Sequence, residues 1–373
     1  MTADGPQALV ENYRPGDFLL AGPSATLLAT GCQAVVSEPD PDELAARVGK
    51  LLLDTAVPVA VGALPFDPDA QPRLVIPAAV RRSGRASTRP TTAWTQAPRV
   101  TPIPEPAAYA HAVEQVVRRL RSDPELRKVV LARAVELEFD SAVDIARLLP
   151  GLAAANPIGF TYAADLDGRT LLGASPELLL RRTGDQVVSN PLAGSVPRGV
   201  DAAADEKVAA ALLASAKDQG EHRVVVEAVV EVLRPFCRRL TVPATPSLVK
   251  TPTVWHLSTR VTGELIDSEV SALRLAAALH PTPAVCGTPT AAARAVIAER
   301  EPFDRGFYSG VVGWCDAAGD GEWVVAIRCA EVEAARMRLF AGAGIMPDSV
   351  PTSELAETDA KFRTLLAALG VTL

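Results

Sequence analysis

Residues 160–190 read FTYAADLDGRTLLGASPELLLRRTGDQVVSN. Short apolar runs alternate here with turns at Asp167-Gly168 and Thr183-Gly184-Asp185, the pattern of an antiparallel meander. Before it, residues 128–139 alternate, with Val129, Leu131, Val135, Leu137 and Phe139 on one face and Lys128 on the other at the strand's start. Tyr109, Ala112, Val113, Val116, Val117 and Leu120 form a helical face ended by Ser122-Asp123-Pro124. After it, residues 205–233 read as one long helix stopped before Pro235, and 268–279 as a second stopped at His280-Pro281. Residues 310–315 and 323–331 read as strands joined through Gly319-Asp320-Gly321. No regular strand-helix alternation appears, and no GxGxxG follows a strand. The fold class expected is α+β, with antiparallel sheets packed together and helices outside.

Nearer the N-terminus, residues 18–36 and 57–64 read as short apolar strands with a helix at 41–53 between them. Residues 65–105 are rich in Pro, Arg, Ser and Thr and read as a surface connection. The division expected is an N-terminal part, 1–105, that completes the sheets, and a larger part, 106–373, that carries the chemistry, together one compact unit. With 48% hydrophobic residues, a net charge of −7 and no basic tract, the 373-residue chain offers nothing to nucleic acid or an anionic membrane. A local group of cations would still take an anionic ligand. Met1-Thr2-Ala3-Asp4-Gly5-Pro6 has neither the basic nor the apolar region of a leader, and 57–64 is too short to span a bilayer, so a cytoplasmic protein is expected. Five scattered cysteines read as small buried hydrophobes. Only six of the 37 basic residues are lysines, which draws attention to Lys128, Lys217 and Lys361.

Several constellations could carry chemistry. Glu354, Glu357 and Lys361 follow Gly342-Ala343-Gly344 at i, i+3 and i+7, placing two carboxylates and an ammonium on one helix face beyond a glycine turn. Such a group can hold a hard cation beside an anionic substrate. Asp218 and Glu221 lie one turn apart, so Glu221 and Glu357 could offer carboxylates from two helices to one Mg²⁺; the plainer alternative is a solvated helix face. Glu177, after Ser175-Pro176 and among leucines, would have its pKa raised by desolvation and serve as a general acid, or else be an edge-strand residue reaching water. Lys128 is either a solubilising residue or a base. Residues 191–195, with Ala193, Gly194 and Ser195, read as a tight turn whose glycine lets the backbone approach a ligand. His256, beside Trp255, is a ligand contact or a satisfied core residue. Arg328, in an apolar run, requires an anionic partner, which a carboxylate bound bidentately would provide. His111, His222, His256 and His280 show no metal-ligand spacing, and no GxSxG occurs.

Taken in order, residues 128–133 (KVVLAR), Ser175-Pro176-Glu177, Pro191-Leu192-Ala193-Gly194, Lys217-Asp218 with Glu221-His222, Ile327-Arg328, Gly342-Ala343-Gly344 and Glu357-Thr358 with Lys361 resemble the chorismate-utilising enzymes. Each motif alone is weak; the ordered set spans about 107–367. Residues 251–257, 280–284 and 313–316 are most similar to isochorismate synthases. The resemblance implies the fold of anthranilate synthase component I and a Mg²⁺-dependent isomerase. It implies that Glu221 and Glu357, with Glu354 and Asp218 nearby, hold the metal against the ring carboxylate of chorismate. Arg328 and Tyr308 would take the enolpyruvyl carboxylate, with backbone contacts from Gly194 and from Gly342, Ala343 and Gly344. Ala193, Ser195, His256, Ala284 and Lys361 would complete the substrate site. Lys128 would deprotonate a water attacking C2, and Glu177 would protonate the departing C4 hydroxyl.

Ala193 stands where enzymes forming aminodeoxychorismate carry a nucleophilic lysine, so covalent addition is not expected. No signature of a tryptophan site is present, and no glutaminase partner or oligomer is demanded. Tyr308 matches the salicylate-forming enzymes and Ala284 the isochorismate synthases. The rival is therefore a salicylate synthase, which goes on to eliminate pyruvate. A partner-dependent chorismate-binding subunit is a further rival, opposed by the intact Lys128 and Glu177 pair. The use of the product, in a catechol siderophore, menaquinone or salicylate, is left open.

Overall fold

The meander forms as the strands Phe160–Asp165, Thr170–Ser175, Leu178–Thr183 and Gln186–Asn190, but its two halves belong to different sheets. This is seen in a computed structural model that describes residues 6–86 and 98–371. Residues 1–5 of the expected leader-free N-terminus and 87–97 of the expected connection lie outside the described residues.

A ten-stranded sheet contains Phe160–Asp165 and Thr170–Ser175, and a nine-stranded sheet contains Leu178–Thr183 and Gln186–Asn190. A third sheet joins Leu192–Pro197, Val254–Ser258 and Ser247–Lys250. The described pairings are antiparallel throughout. The two large sheets pack face to face over Phe18, Leu20, Val61, Ala132, Phe160, Tyr162, Leu178, Val312, Val324 and Phe340. Because side chains alternate along a strand, Val135, Leu137, Leu172 and Leu339 point outward and meet Leu149, Phe362 and Leu365 from the helices Ile145–Ala155 and Pro351–Leu369. On the other outer face, Leu180, Val187 and Trp323 pack against Val229, Leu233 and Leu275 from the helices Ala216–Leu233 and Ala272–Leu279. Helices thus cover a two-sheet sandwich, the α+β arrangement expected. Among the described residues no helix is long and apolar enough to cross a membrane.

Three local expectations are corrected. The long helix at 205–233 is two, Ala202–Ala214 and Ala216–Leu233, because Ser215 is extended and caps the second, its Oγ accepting from the Asp218 N–H at 3.2 Å. The region read as a connection contains the strands Arg73–Ile76, Ala79–Gly84 and Arg99–Ile103, too short for a clear period. The first buries Leu74 and Ile76, and the second is a sheet edge protected by Arg81 and Arg82. The strand expected at 323–331 is split into Gly321–Val325 and Cys329–Glu333, which lie in different sheets.

That split places a second sheet-to-sheet crossover beside the one at Pro176-Glu177. The Val325 N–H donates to the Glu177 carbonyl at 3.1 Å, and the Ala174 N–H donates to the Arg328 carbonyl at 3.0 Å. Arg328 makes the bend with φ of 50°, a left-handed conformation that costs a non-glycine residue about 1 kcal/mol or more.

The strand Lys128–Glu138 is fixed on its far edge by side chains as well as strands. Between its pairings with Gly287–Thr288 and Arg99–Ile103, the Ala132 N–H donates to Glu301 Oε1 at 2.7 Å and Arg305 Nη2 donates to the Val130 carbonyl at 2.8 Å. Glu301 and Arg305 pair at 2.5 Å with side chains 2% exposed. Arg305→Met strands a buried carboxylate and is expected to lower stability by about 3 kcal/mol or more in urea unfolding. A loss below about 1 kcal/mol would show the pair to be dispensable.

Candidate active site

At the two crossovers the sheets part around a cavity. Its wall brings together Glu177, Ala193, Gly194, Ser195, Glu221, His256, Ala284, Tyr308, Arg328, Gly342, Gly344, Glu357 and Lys361, all expected at the site. Three expected residues stand elsewhere. Lys128 is fully buried behind Glu221 rather than on the wall. Glu354 is also set back, bonded to Lys217. Ala343 packs in the opposite core with Val129 and Leu131, because 342–344 is no turn but part of the strand Arg336–Ile345, where alternation turns Gly342 and Gly344 inward and Ala343 out.

Glu177 occupies the first crossover with Leu192 and Pro176 beside it on the wall. Burial pushes its pKa up to about 7, against the Leu192 N–H, which donates to Oε1 at 3.4 Å, and the charges of Lys128, Arg328 and Lys361, which pull it down. Desolvation wins because the group is enclosed and its one donor is long. The result is a carboxyl poised to give up a proton near neutrality.

Arg328 occupies the second crossover, 4% exposed, with no carboxylate at ion-pair distance among the described residues. Its Nη2 donates to His256 Nε2 at 3.0 Å, and a guanidinium can only donate. His256 is therefore neutral with its proton on Nδ1, which donates to Ser195 Oγ at 2.7 Å. Burial, then the charges of Arg328 and Lys361, hold the imidazole well below its ordinary pKa, in agreement with that tautomer. Burial also lowers the Arg328 pKa, to about 10. A buried cation with only a neutral partner is a receptor for an anion.

Across the cavity lie three glutamates, each holding an ammonium. Glu221 pairs with Lys128 at 2.8 Å, Glu357 with Lys361 at 2.6 Å, and Glu354 with Lys217 at 3.3 Å. Lys361 Nζ also donates to the Gly342 carbonyl at 2.7 Å. Burial would raise the Glu221 pKa, but Lys128, Lys361 and Lys217 outweigh it and hold the group below its usual value. Glu354 is pushed up by burial and then by the charge of Glu357. Among the described residues no three such side chains already converge as a cage. Their oxygens are nonetheless the hard donors a small divalent cation takes, and their mutual repulsion is what such an ion relieves.

Gly344 makes this face possible, since a Cβ there would lie 2.3 Å from Glu221 Oε1 and 2.9 Å from Lys128 Cε. Gly344→Ala should leave the fold standing, because the clash is with movable side-chain ends, yet drive Glu221 off Lys128 and cut kcat/KM about a hundredfold. A variant within about threefold of the parent would show that this contact is not needed.

Tyr308 stacks on Phe340 with ring centroids 4.9 Å apart, and its hydroxyl lies 2.8 Å from where a Cβ on Gly342 would stand. Sequence reading missed Ser309, a fully buried wall residue in the left-handed region at φ 62°, and Phe340. Nothing local marks either; Ser309 is visible only as a polar residue before Gly310.

Comparison with known proteins identifies the family. Residues 66–370 match the family described as chorismate binding enzyme. The isochorismate synthase DhbC of Bacillus subtilis is 51% identical over 382 residues, covering 97% of this chain and 96% of that protein. The crystal structure of DhbC from Bacillus anthracis superposes with a TM-score of 0.94 at 44% identity, covering 98% of this chain and 100% of that one. Anthranilate synthase component I from Streptococcus pneumoniae shares the fold, with a TM-score of 0.73 at 20% identity over 95% of this chain and 90% of that one. Matched over most of its length and accompanied end to end by such relatives, the chain belongs to the chorismate-binding enzymes.

Proposed function

We propose that this protein is an isochorismate synthase. The observation that carries the reading is Glu177, a buried carboxyl with its pKa near 7, held at the crossover next to the anion receptor Arg328. The name of the Bacillus subtilis relative supports the same reaction.

The dicarboxylate chorismate places one carboxylate on Arg328, which His256 orients, with Tyr308 beside it. The other lies toward Glu221, Glu357 and Glu354. These three would hold Mg²⁺, and the bound ion supplies the positive charge that this carboxylate needs on an otherwise acidic face. Lys128, as its neutral amine, takes a proton from a water whose oxygen bonds to ring C2. The ring double bonds shift, the C4–O bond breaks, and Glu177 gives its proton to the departing hydroxyl, which leaves as water. One proton is taken and one given, so the product is an isomer. Hydroxide is a poor leaving group, which is why the acid must still hold its proton near neutral pH. Water is the nucleophile, so no glutaminase is required.

The test is to incubate purified protein with chorismate, with and without Mg²⁺, resolve the products by chromatography and assay pyruvate. Mg²⁺-dependent isochorismate without matching pyruvate is expected. Salicylate with equal pyruvate would assign the lyase reaction, for which Tyr308 speaks. No turnover, even with ammonia added, would reduce the site to binding.

A further inference from the structure

The three ammoniums on the acidic face are not equivalent. The Lys128 side chain is 1% exposed, and that of Lys361 is 14% exposed and also bonded to the Gly342 carbonyl. Lys128 is enclosed, and Lys361 is tied to the cavity wall by its second bond. The Lys217 side chain is 33% exposed, and its described bond is to Glu354 Oε1 at 3.3 Å. Glu221 and Asp218 are the other charges acting on it.

Lys217 also sits in the first turn of the helix Ala216–Leu233, where the helix dipole disfavours a cation. The carboxylates keep it there against that field. Glu354, with a side chain only 4% exposed, has in Lys217 its one ion-pair partner among the described residues. Without a counter-charge, its burial beside Glu357 would be costly.

We propose that Lys217 is an internal competitor for the divalent cation, standing in for it on Glu354 in the metal-free protein and swinging to solvent when the ion arrives. Each of the three glutamates already holds a lysine, so an added dication meets carboxylates whose partners are in place. Withdrawing Lys217 frees Glu354 and offsets one of the two added charges, and its stem is the most exposed of the three. The two buried lysines stay with the reaction, and the half-exposed one yields its place.

The inference rests on the metal reading of Glu221, Glu354 and Glu357, and its test separates the two. Mg²⁺ binding to the substrate-free protein is measured by titration calorimetry for the parent, Lys217→Gln, Lys217→Ala and Lys217→Arg, with Glu357→Gln to locate the site. The Gln and Ala variants should bind Mg²⁺ about tenfold more tightly, and Lys217→Arg about as the parent does. Thermal melts should show Lys217→Gln weakened without metal and raised by Mg²⁺ by more than the parent is. Unchanged or weaker binding in the Gln and Ala variants, with parent binding intact, would overturn the competitor and leave the metal reading standing. No binding by the parent, or binding indifferent to Glu357→Gln, would overturn the metal reading and the competitor with it.

Discussion

Glu177→Gln should lower kcat about a thousandfold while leaving KM for chorismate nearly unchanged, because the amide keeps the shape of the acid and its contact with the Leu192 N–H but has no proton to give. In the parent, the protonated form is the active one. Turnover attributable to this acid is therefore full at low pH and falls as pH rises through about 7. The same elevation has a cost for the fold. A carboxyl whose pKa is higher folded than unfolded stabilises the native state below its ordinary value, and that contribution is lost as pH rises through about 7. Above that pH the parent carries a desolvated carboxylate that glutamine avoids. The variant should accordingly be the more stable protein at about pH 8.5, by about 3 kcal/mol in urea unfolding. Activity and stability move in opposite directions at one atom. Turnover within about threefold of the parent would remove Glu177 from the role of acid.

Lys128→Ala should cost turnover about a thousandfold as well, but with a different signature. Lys128 is the buried counter-charge of Glu221, so its loss leaves a carboxylate enclosed without a partner, and stability should fall by about 3 kcal/mol. To act as a base Lys128 must give up its ammonium proton and come free of Glu221, since it does not itself line the cavity. A small primary amine added to the Lys128→Ala protein should restore part of the turnover if the lost group is the base, and none if the lysine only supports Glu221. Full turnover without any amine would end the proposal that Lys128 activates water.

Much of this was legible in the chain, for identifiable reasons. The leucines flanking Ser175-Pro176-Glu177 stand next to the acid in sequence, so its desolvation could be read locally, and the alternation of 128–139 put Lys128 on the face opposite Val135 and Leu137, though nothing in it said that this face is the inner one. What could not be read depends on partners far apart. Residues 323–331 carry no glycine or proline, so nothing announced that Arg328 would turn left-handed and carry the chain to the other sheet. The pairing of Lys128 with Glu221 and of Lys217 with Glu354 joins segments whose spacing contains no information about which ammonium meets which carboxylate. Ala343 was misplaced for a simpler reason. The glycines around it suggested a turn, whereas small residues were needed on one face of a continuing strand, where Glu221 comes too close for a side chain.

The paired crossovers limit how such a catalyst can be re-engineered. Glu177 and Arg328 are bonded through their backbones to each other's strands, so the proton donor and the anion receptor travel as one piece. Shifting one relative to the other would require breaking both sheets. The opposite walls, the strand Leu192–Pro197 and the loop at Ala284, belong to neither crossover. A designer seeking a different nucleophile or a different product would therefore vary those walls and treat the crossover pair as a fixed jig against which the rest of the pocket is cut.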